Sequence, residues 1–362
     1  MSSSTPASTA SATSASAPDA EQALPAGGAG LIGLLVASAF VMILQETIMS
    51  VALPALVTEL GVAVTTAQWL SSGFLLTMAV VVPITGFLLQ RFTPRQVYLA
   101  SMSLFSLGTL VCALAPGFVA LLAGRIVQAS GTAVMAPLVM TSVMRLVPPQ
   151  RRGGVIGTIM IVIAVAPAVG PTLSGVLLTT LGWRWMFWVV LPIALLALTV
   201  GAWRLRIDTE SRRAPLDVAS VVLSVLAFGG LVFGLSGAGE SASGEPAVSP
   251  WVPAAVGAVA MVVFVARQLR LQRTEAALLD LRPFGYRTFV VSIVLAVLGM
   301  MALFGVLILL PLYLQNVLGV TAFVTGLAVL PGMASRWGCW VPWSDGSTTG
   351  WGLAAWSFPE RR

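Results

Sequence analysis

The 362-residue sequence is 57% hydrophobic and only 9% charged, with a mean hydropathy of +0.96, whereas a soluble domain is about a quarter charged. Histidine is absent and the two cysteines are Cys112, in an apolar run, and Cys339, in the tail; a zinc site, a histidine-based catalytic triad and a disulfide framework therefore lack their parts. The formal charge of +6 would suggest nucleic acid in a soluble protein, but all of the basic residues are arginines and most are set between apolar stretches, so their placement reports membrane topology.

Residues 1–29 are mostly Ser, Ala, Thr, Gly and Pro, with Asp19 and Glu21 as their only charges, and read as a disordered tail. They have neither the basic start nor the short apolar stretch of a signal peptide, so the N-terminus is expected to stay on the side where it is made. Nine helical spans follow, over 31–54, 68–90, 97–116, 118–143, 154–181, 185–203, 218–238, 248–266 and 288–312. Each has the apolar length of about 20 residues that a bilayer crossing requires. The fold class is all-α, a polytopic membrane bundle. A tenth apolar run from Thr321 to Met333 covers only about 20 Å at 1.5 Å per residue, short of a ~30 Å hydrocarbon core.

Arginines alternate along the connections. Arg91 and Arg95 fall in the second, Arg145, Arg151 and Arg152 in the fourth, Arg204, Arg206, Arg212 and Arg213 in the sixth, and Arg267, Arg270, Arg273, Arg282 and Arg287 in the eighth. The odd connections hold only Arg184 among the basic residues, together with Glu59, Glu240 and Glu245. By the positive-inside rule the N-terminus and the even connections are expected on the cytoplasmic side of a cell membrane.

Ionisable groups inside a bilayer are costly, so each is a functional candidate. Glu46 and Arg125 qualify. Counted from Pro54, taken as the outer end of the first helix, and from Gly117, the outer start of the fourth, both sit roughly 12 Å below the outer surface. Matched depth allows an ion pair or a shared proton site, and equally a static structural pair. Gln128, one turn from Arg125, shares its face, which is expected to point into a cavity. Met42, Met49, Met135, Met140 and Met144 with Phe40, Trp69 and Phe74 could line an adaptable apolar pocket or simply pack and face lipid. Trp183, Trp185 and Trp188 read as an interfacial belt. In the fifth helix Gly157, Gly170 and Gly175 would let backbones approach and Pro167 and Pro171 would let the helix bend; ordinary small-residue packing is the alternative.

The run Leu44-Gln45-Glu46-Thr47-Ile48-Met49-Ser50-Val51-Ala52-Leu53-Pro54 resembles the first-helix signature of the fourteen-helix drug:proton antiporters of the major facilitator superfamily. Four further matches follow in the family's order. Gly86-Phe87-Leu88-Leu89-Gln90-Arg91-Phe92-Thr93-Pro94-Arg95 is similar to the motif between helices 2 and 3, and Arg125-Ile126-Val127-Gln128-Ala129-Ser130-Gly131-Thr132-Ala133 to the helix 4 motif. Ala166-Pro167-Ala168-Val169-Gly170-Pro171-Thr172-Leu173-Ser174-Gly175 resembles the helix 5 antiporter motif, and Trp183-Arg184-Trp185-Met186-Phe187 the corner between helices 5 and 6. The usual acidic residue of the helix 2 to 3 motif is Gln90 here and its second glycine is Thr93. Gln45 stands where many relatives carry Asp, with Glu46 adjacent, as in the lincomycin-type efflux branch.

The resemblance implies a major facilitator fold: a six-helix bundle over 30–204, a loop and inserted helix pair over 205–267, and the start of a second bundle over 268–333. It implies proton-coupled efflux of small amphipathic compounds by alternating access, with small molecules, protons and the bilayer as partners. No cofactor, metal, nucleic acid or enzymatic step is implied, and oligomeric state stays open. Glu46 and Arg125 are the implied proton-coupling residues. Gln45, Met49, Gln128 and Trp69 are the cavity candidates. Gly86, Arg91, Arg95, Gly131, Pro167, Gly170, Pro171 and Gly175 are the candidates for gating and helix packing. The tryptophan-rich stretch 334–362 resembles out-of-frame translation or a genuine aromatic tail, so the chain reads as truncated. An inactive or accessory membrane fragment is the competing reading.

Overall fold

The computed structural model describes residues 28–205, 217–240, 251–272 and 281–317. Among them lie nine α-helices: α1 (Gly28–Leu60), α2 (Val64–Arg91), α3 (Pro94–Ala113), α4 (Phe118–Leu146), α5 (Pro149–Thr180), α6 (Arg184–Arg204), α7 (Val218–Glu240), α8 (Trp251–Leu271) and α9 (Arg287–Asn316). By length and composition α1 to α6 and α8 can each cross a membrane, while α7 and α9 carry shorter apolar stretches over Ala219–Leu235 and Arg287–Ala302. The expected nine spans are thus met in helix number, and in full apolar length for seven. The tail 1–27, Arg206, Arg212, Arg213, Glu245, Arg273, the run Thr321 to Met333 and the stretch 334–362 lie outside the described residues.

Local chemistry sets the helix ends. Thr93 caps α3, accepting a hydrogen bond from Gln96 N at 3.3 Å while the Gln96 side chain accepts from Thr93 N at 3.1 Å. This reciprocal box satisfies two otherwise orphaned donors, with Pro94 at the first helical position. At the opposite end α1 and α5 stop at Gly61 and Gly182, whose φ of 63° and 86° lie in the left-handed region that glycine enters without steric cost.

Helices α1 to α6 pack into one bundle whose broadest seams are α3 on α4, α2 on α4, α1 on α5 and α3 on α6. In a bilayer there is little hydrophobic gain from bringing helices together, so seams rely on close packing and on hydrogen bonds between helices. Both are present. A side chain at Gly108, Gly124 or Gly131 would collide with the facing helix of the α3–α4 seam, and Ser101 donates across it to Gly131 O at 2.7 Å. In the α3–α6 seam the buried Tyr98 lies against Gly201, and its hydroxyl contacts Ala197 O and Ser38 Oγ of α1, both at 2.9 Å. Helices α7 and α8 meet at Gly230, Gly234, Ala254 and Gly257 and lie on α2, through Trp69 on Phe233 with ring centroids 5.2 Å apart and through Phe87 beside Phe264. Helix α9 follows a 3-10 turn over Arg282–Gly285 and is exposed along most of its described length.

Four expectations change. Pro54 lies inside α1, which runs on to Leu60, because a bilayer helix tolerates proline where neighbours absorb the lost bond; depth counted from Pro54 therefore understates how far Glu46 lies from the helix end. Arg267 and Arg270 belong to the last turns of α8 rather than to a loop. Trp183 is 1% exposed in the core near Met186 and Phe187, leaving Trp185 and Trp188 to the surface. Gly157 and Gly175 face open space, so among these α5 glycines only Gly170 makes a close approach.

Candidate functional site

The two faces of α1 differ in exposure. Ser38, Met42, Gln45, Met49, Ala52 and Leu56, spaced three or four residues apart, are buried within the bundle, whereas Ile43, Glu46, Ser50 and Pro54 form the more open stripe. Glu46 is thus half-buried on the open side. Its neighbour Gln45 is 1% exposed, with neither amide atom hydrogen-bonded among the described residues. Each buried polar atom without a partner costs about 1–3 kcal/mol.

Arg125 is held on α4 at 1% exposure. Its Nη1 donates to Gln128 Oε1 at 2.7 Å, its Nε to Leu70 O at 3.4 Å, and its guanidinium stacks 4.1 Å above the Phe74 ring. Gln128 Nε2 in turn donates to Thr109 Oγ1 at 2.8 Å, and that hydroxyl donates to Phe105 O at 2.7 Å. These partners are all neutral. Among the described residues the ion pairs within 4.0 Å are Arg184 with Glu59 and Arg267 with Asp217, so Glu46 and Arg125 form no contact ion pair. A guanidinium stacked on an aromatic face and bonded to neutral groups keeps its whole charge available to a carboxylate nearby.

The α1–α5 seam fixes Glu46 from behind. A Cβ at Gly170 would run into Thr47, the residue after Glu46, and Ser174 Oγ donates to Ile48 O at 3.0 Å. Thr47 Oγ1 reaches Ala166 O at 3.5 Å. Ala166, Gly170, Ser174 and Leu177 form the buried stripe of α5, and Pro167 and Pro171 are only partly covered beside it.

The remaining candidates spread out. Met49 and Gln128 are buried between helices, and Trp69 is covered in part by Phe233 of α7. Of the other pocket candidates, Met42, Phe74 and Met135 are also buried, whereas Met144 is exposed. Gly86 is exposed near the end of α2, and Gly131 belongs to the α3–α4 seam. Arg91 ends α2. Arg95 Nη2 donates to Ala202 O at 2.8 Å, tying α3 to the last turn of α6. At the opposite end Arg184 joins Glu59 at 3.7 Å and donates to Ala115 O at 3.1 Å, clasping α1 and the α3–α4 turn to the α5–α6 corner.

Sequence reasoning missed Thr109, Thr47 and Ser174, polar residues that look neutral in an apolar run. It also missed Asp217, just before α7, which accepts two hydrogen bonds from Arg267, both at 2.9 Å, and one from Ser220. The Arg267 bonds hold the Asp217 carboxyl down at about 2. Gln268 Nε2 completes the cluster, donating to Ser220 Oγ at 2.8 Å.

Residues 35–341 match the Major Facilitator Superfamily. The chain is 41% identical over 302 residues to the lincomycin resistance protein LmrB of Bacillus subtilis (strain 168), covering 83% of this chain and 62% of that protein. It is 31% identical over 300 residues to a multidrug resistance protein B homolog of Mycobacterium tuberculosis (strain ATCC 25618 / H37Rv), covering 83% and 55%. The chain therefore spans about three-fifths of the length of the curated relatives it matches. Among solved structures, a peptide transporter POT in complex with sulfate superposes with a TM-score of 0.56 at 17% identity, over 85% of this chain and 68% of that one; at that identity the likeness concerns the fold alone. A match over most of the chain, several helices able to cross a membrane and a shared all-helical architecture make this a multi-pass membrane protein that belongs to the Major Facilitator Superfamily.

Proposed function

We propose that the chain is a transporter of the fourteen-helix drug:proton antiporter kind, exporting small amphipathic compounds by alternating access coupled to protons, with its N-terminus in the cytoplasm. The observation that carries this reading is Glu46, half-buried on the open face of α1 and in no ion pair within 4.0 Å among the described residues, in a bundle that also buries Arg125. Such a carboxylate binds a proton when its surroundings are dry and releases it when water or the arginine's field dominates. A rocking bundle alternates between those conditions. Gly170 and Ser174 hold Glu46 in register, and the half-covered prolines beside them give α5 room to bend. The similarity to lincomycin and multidrug resistance proteins supports drug-like substrates.

A second reading, favoured by the exposure of α9, is a membrane component that transports only when further helices cover that surface. Expression in an efflux-deficient, drug-sensitive host with matched membrane levels tests both. Lincomycin and a panel of cationic dyes serve as probes, with and without a protonophore. Resistance that the protonophore removes supports the first reading. Membrane insertion without resistance, which appears when the chain is extended to the length of a relative, supports the second. Resistance that persists with the protonophore overturns proton coupling.

A further inference from the structure

At the arginine-bearing end of the α7–α8 hairpin, an open cavity of about 380 Å³ is walled by Leu223 of α7 and by Val262, Val263 and Ala266 of α8, with Arg267 and Arg270 at its rim. The walls are apolar: Val262 and Val263 are exposed, while Leu223 also packs against the cluster of Phe87 and Phe264. The rim is set one turn apart on one helix, Arg267 and Arg270 being i and i+3. Asp217 takes two hydrogen bonds from Arg267 and thereby fixes its guanidinium while cancelling its charge. Arg270 is exposed and makes no hydrogen bond or ion pair among the described residues, so it leaves a net positive charge at the mouth of an apolar groove.

We infer that this groove is a binding site for one anionic phospholipid, whose phosphate rests on Arg270 and the free edge of Arg267 while an acyl chain lies along Val262, Val263 and Leu223. The choice of occupant rests on charge and place. The groove lies at the arginine-bearing end of a helix long and apolar enough to cross a membrane, so a molecule with an apolar chain and a negative head matches both of its halves. A zwitterionic lipid brings no net charge to Arg270, and a free phosphate has nothing to place in the groove. Interfacial arginines attract anionic lipid through the general surface potential; a groove that also seats the chain adds apolar burial to that attraction. Such a lipid would bridge α7 and α8 at the end where the Asp217 cluster already joins them, stiffening the hairpin that leans on α2.

The test uses the full chain, purified in mild detergent and exchanged into nanodiscs of zwitterionic lipid doped with a tenth of phosphatidylglycerol, with co-purifying lipid counted by native mass spectrometry. Wild-type protein is expected to retain one phosphatidylglycerol. R270Q, which removes the uncompensated charge, and V263W, which fills the groove and leaves the charge, are each expected to lower its occupancy about tenfold. R145Q removes another exposed arginine, in the last turn of α4, and is expected to leave occupancy unchanged. Inorganic phosphate at tens of millimolar is expected to displace little lipid. Equal retention by all four proteins overturns the inference, as does a loss in R145Q equal to that in R270Q, which would reduce the effect to surface charge. Retention undiminished in V263W, or full displacement by inorganic phosphate, overturns the acyl-chain site and leaves an anion contact only.

Discussion

Glu46 and Gln45 are neighbours in sequence but occupy different surroundings. An α-helix turns about 100° per residue, so one points to the open stripe and the other into the bundle. Replacing Gln45 by Leu removes two buried polar atoms without partners and is expected to stabilise the detergent-solubilised protein by about 1–2 kcal/mol, seen as a higher melting temperature. A loss of stability instead would mean that the working protein supplies those atoms with partners. For Glu46 and Arg125, a double-mutant cycle with Glu46→Gln and Arg125→Gln is expected to give a coupling of about 1 kcal/mol, because the two charges act at a distance. A coupling of about 3 kcal/mol or more, as for a broken buried contact pair, would require that they touch in the dominant state. The chemical identity of both residues was legible in the sequence, since an ionisable group stands out in an apolar run. Their surroundings were not, because Gln128, Thr109, Leu70 and Phe74 come to Arg125 from three helices.

Along single elements, the helix cores could be read from apolar length, and the ends shifted where proline and arginine were taken as stops. Pro54 and Arg267 both lie inside helices. Helix faces could not be read. In a membrane helix both the lipid side and the protein side are apolar, so the periodicity that marks the buried face of a soluble helix is lost; Gly170 and Gly175 look equivalent in sequence although only Gly170 meets a neighbour. This contrast makes a prediction. Gly170→Ala is expected to cost about 1–3 kcal/mol by forcing α5 off Thr47, whereas Gly175→Ala, in open space, is expected to be neutral or stabilising by up to about 1 kcal/mol from helix propensity. Thermal unfolding of the two variants separates them. At the α7–α8 hairpin, Asp217 has its pKa lowered on folding to about 2. Its contribution to stability is therefore fully present above the ordinary carboxyl range near 4 and is lost as pH falls toward 2. The melting temperature of the wild type relative to Asp217→Asn is expected to be higher by a constant amount from pH 5 to pH 8 and to converge with it below pH 3. A difference that persists at pH 2 would contradict this assignment.

For the whole molecule, the six-helix bundle is held by seams in which glycine meets backbone and hydroxyls bond across helices, with ties at both ends: Arg95 to Ala202 at one, Arg184 to Glu59 and Ala115 at the other. A bundle tied at both ends moves as a unit, as the alternating access proposed for it would require. The helix order was legible because apolar runs and motifs follow one another along the chain; the docking of α7 and α8 on α2 through Trp69, Phe233, Phe87 and Phe264 was not, since an aromatic residue in an apolar run carries no sign of its partner. The most direct test of Glu46 as the carrier of the coupled proton is drug uptake into everted membrane vesicles under an imposed pH gradient, comparing wild type with Glu46→Gln at equal membrane abundance in the chain extended to its relatives' length. The expected result is gradient-driven uptake by the wild type and none above background by the variant, with drug binding retained. Equal gradient-driven uptake by the two proteins would contradict the assignment of the proton to Glu46.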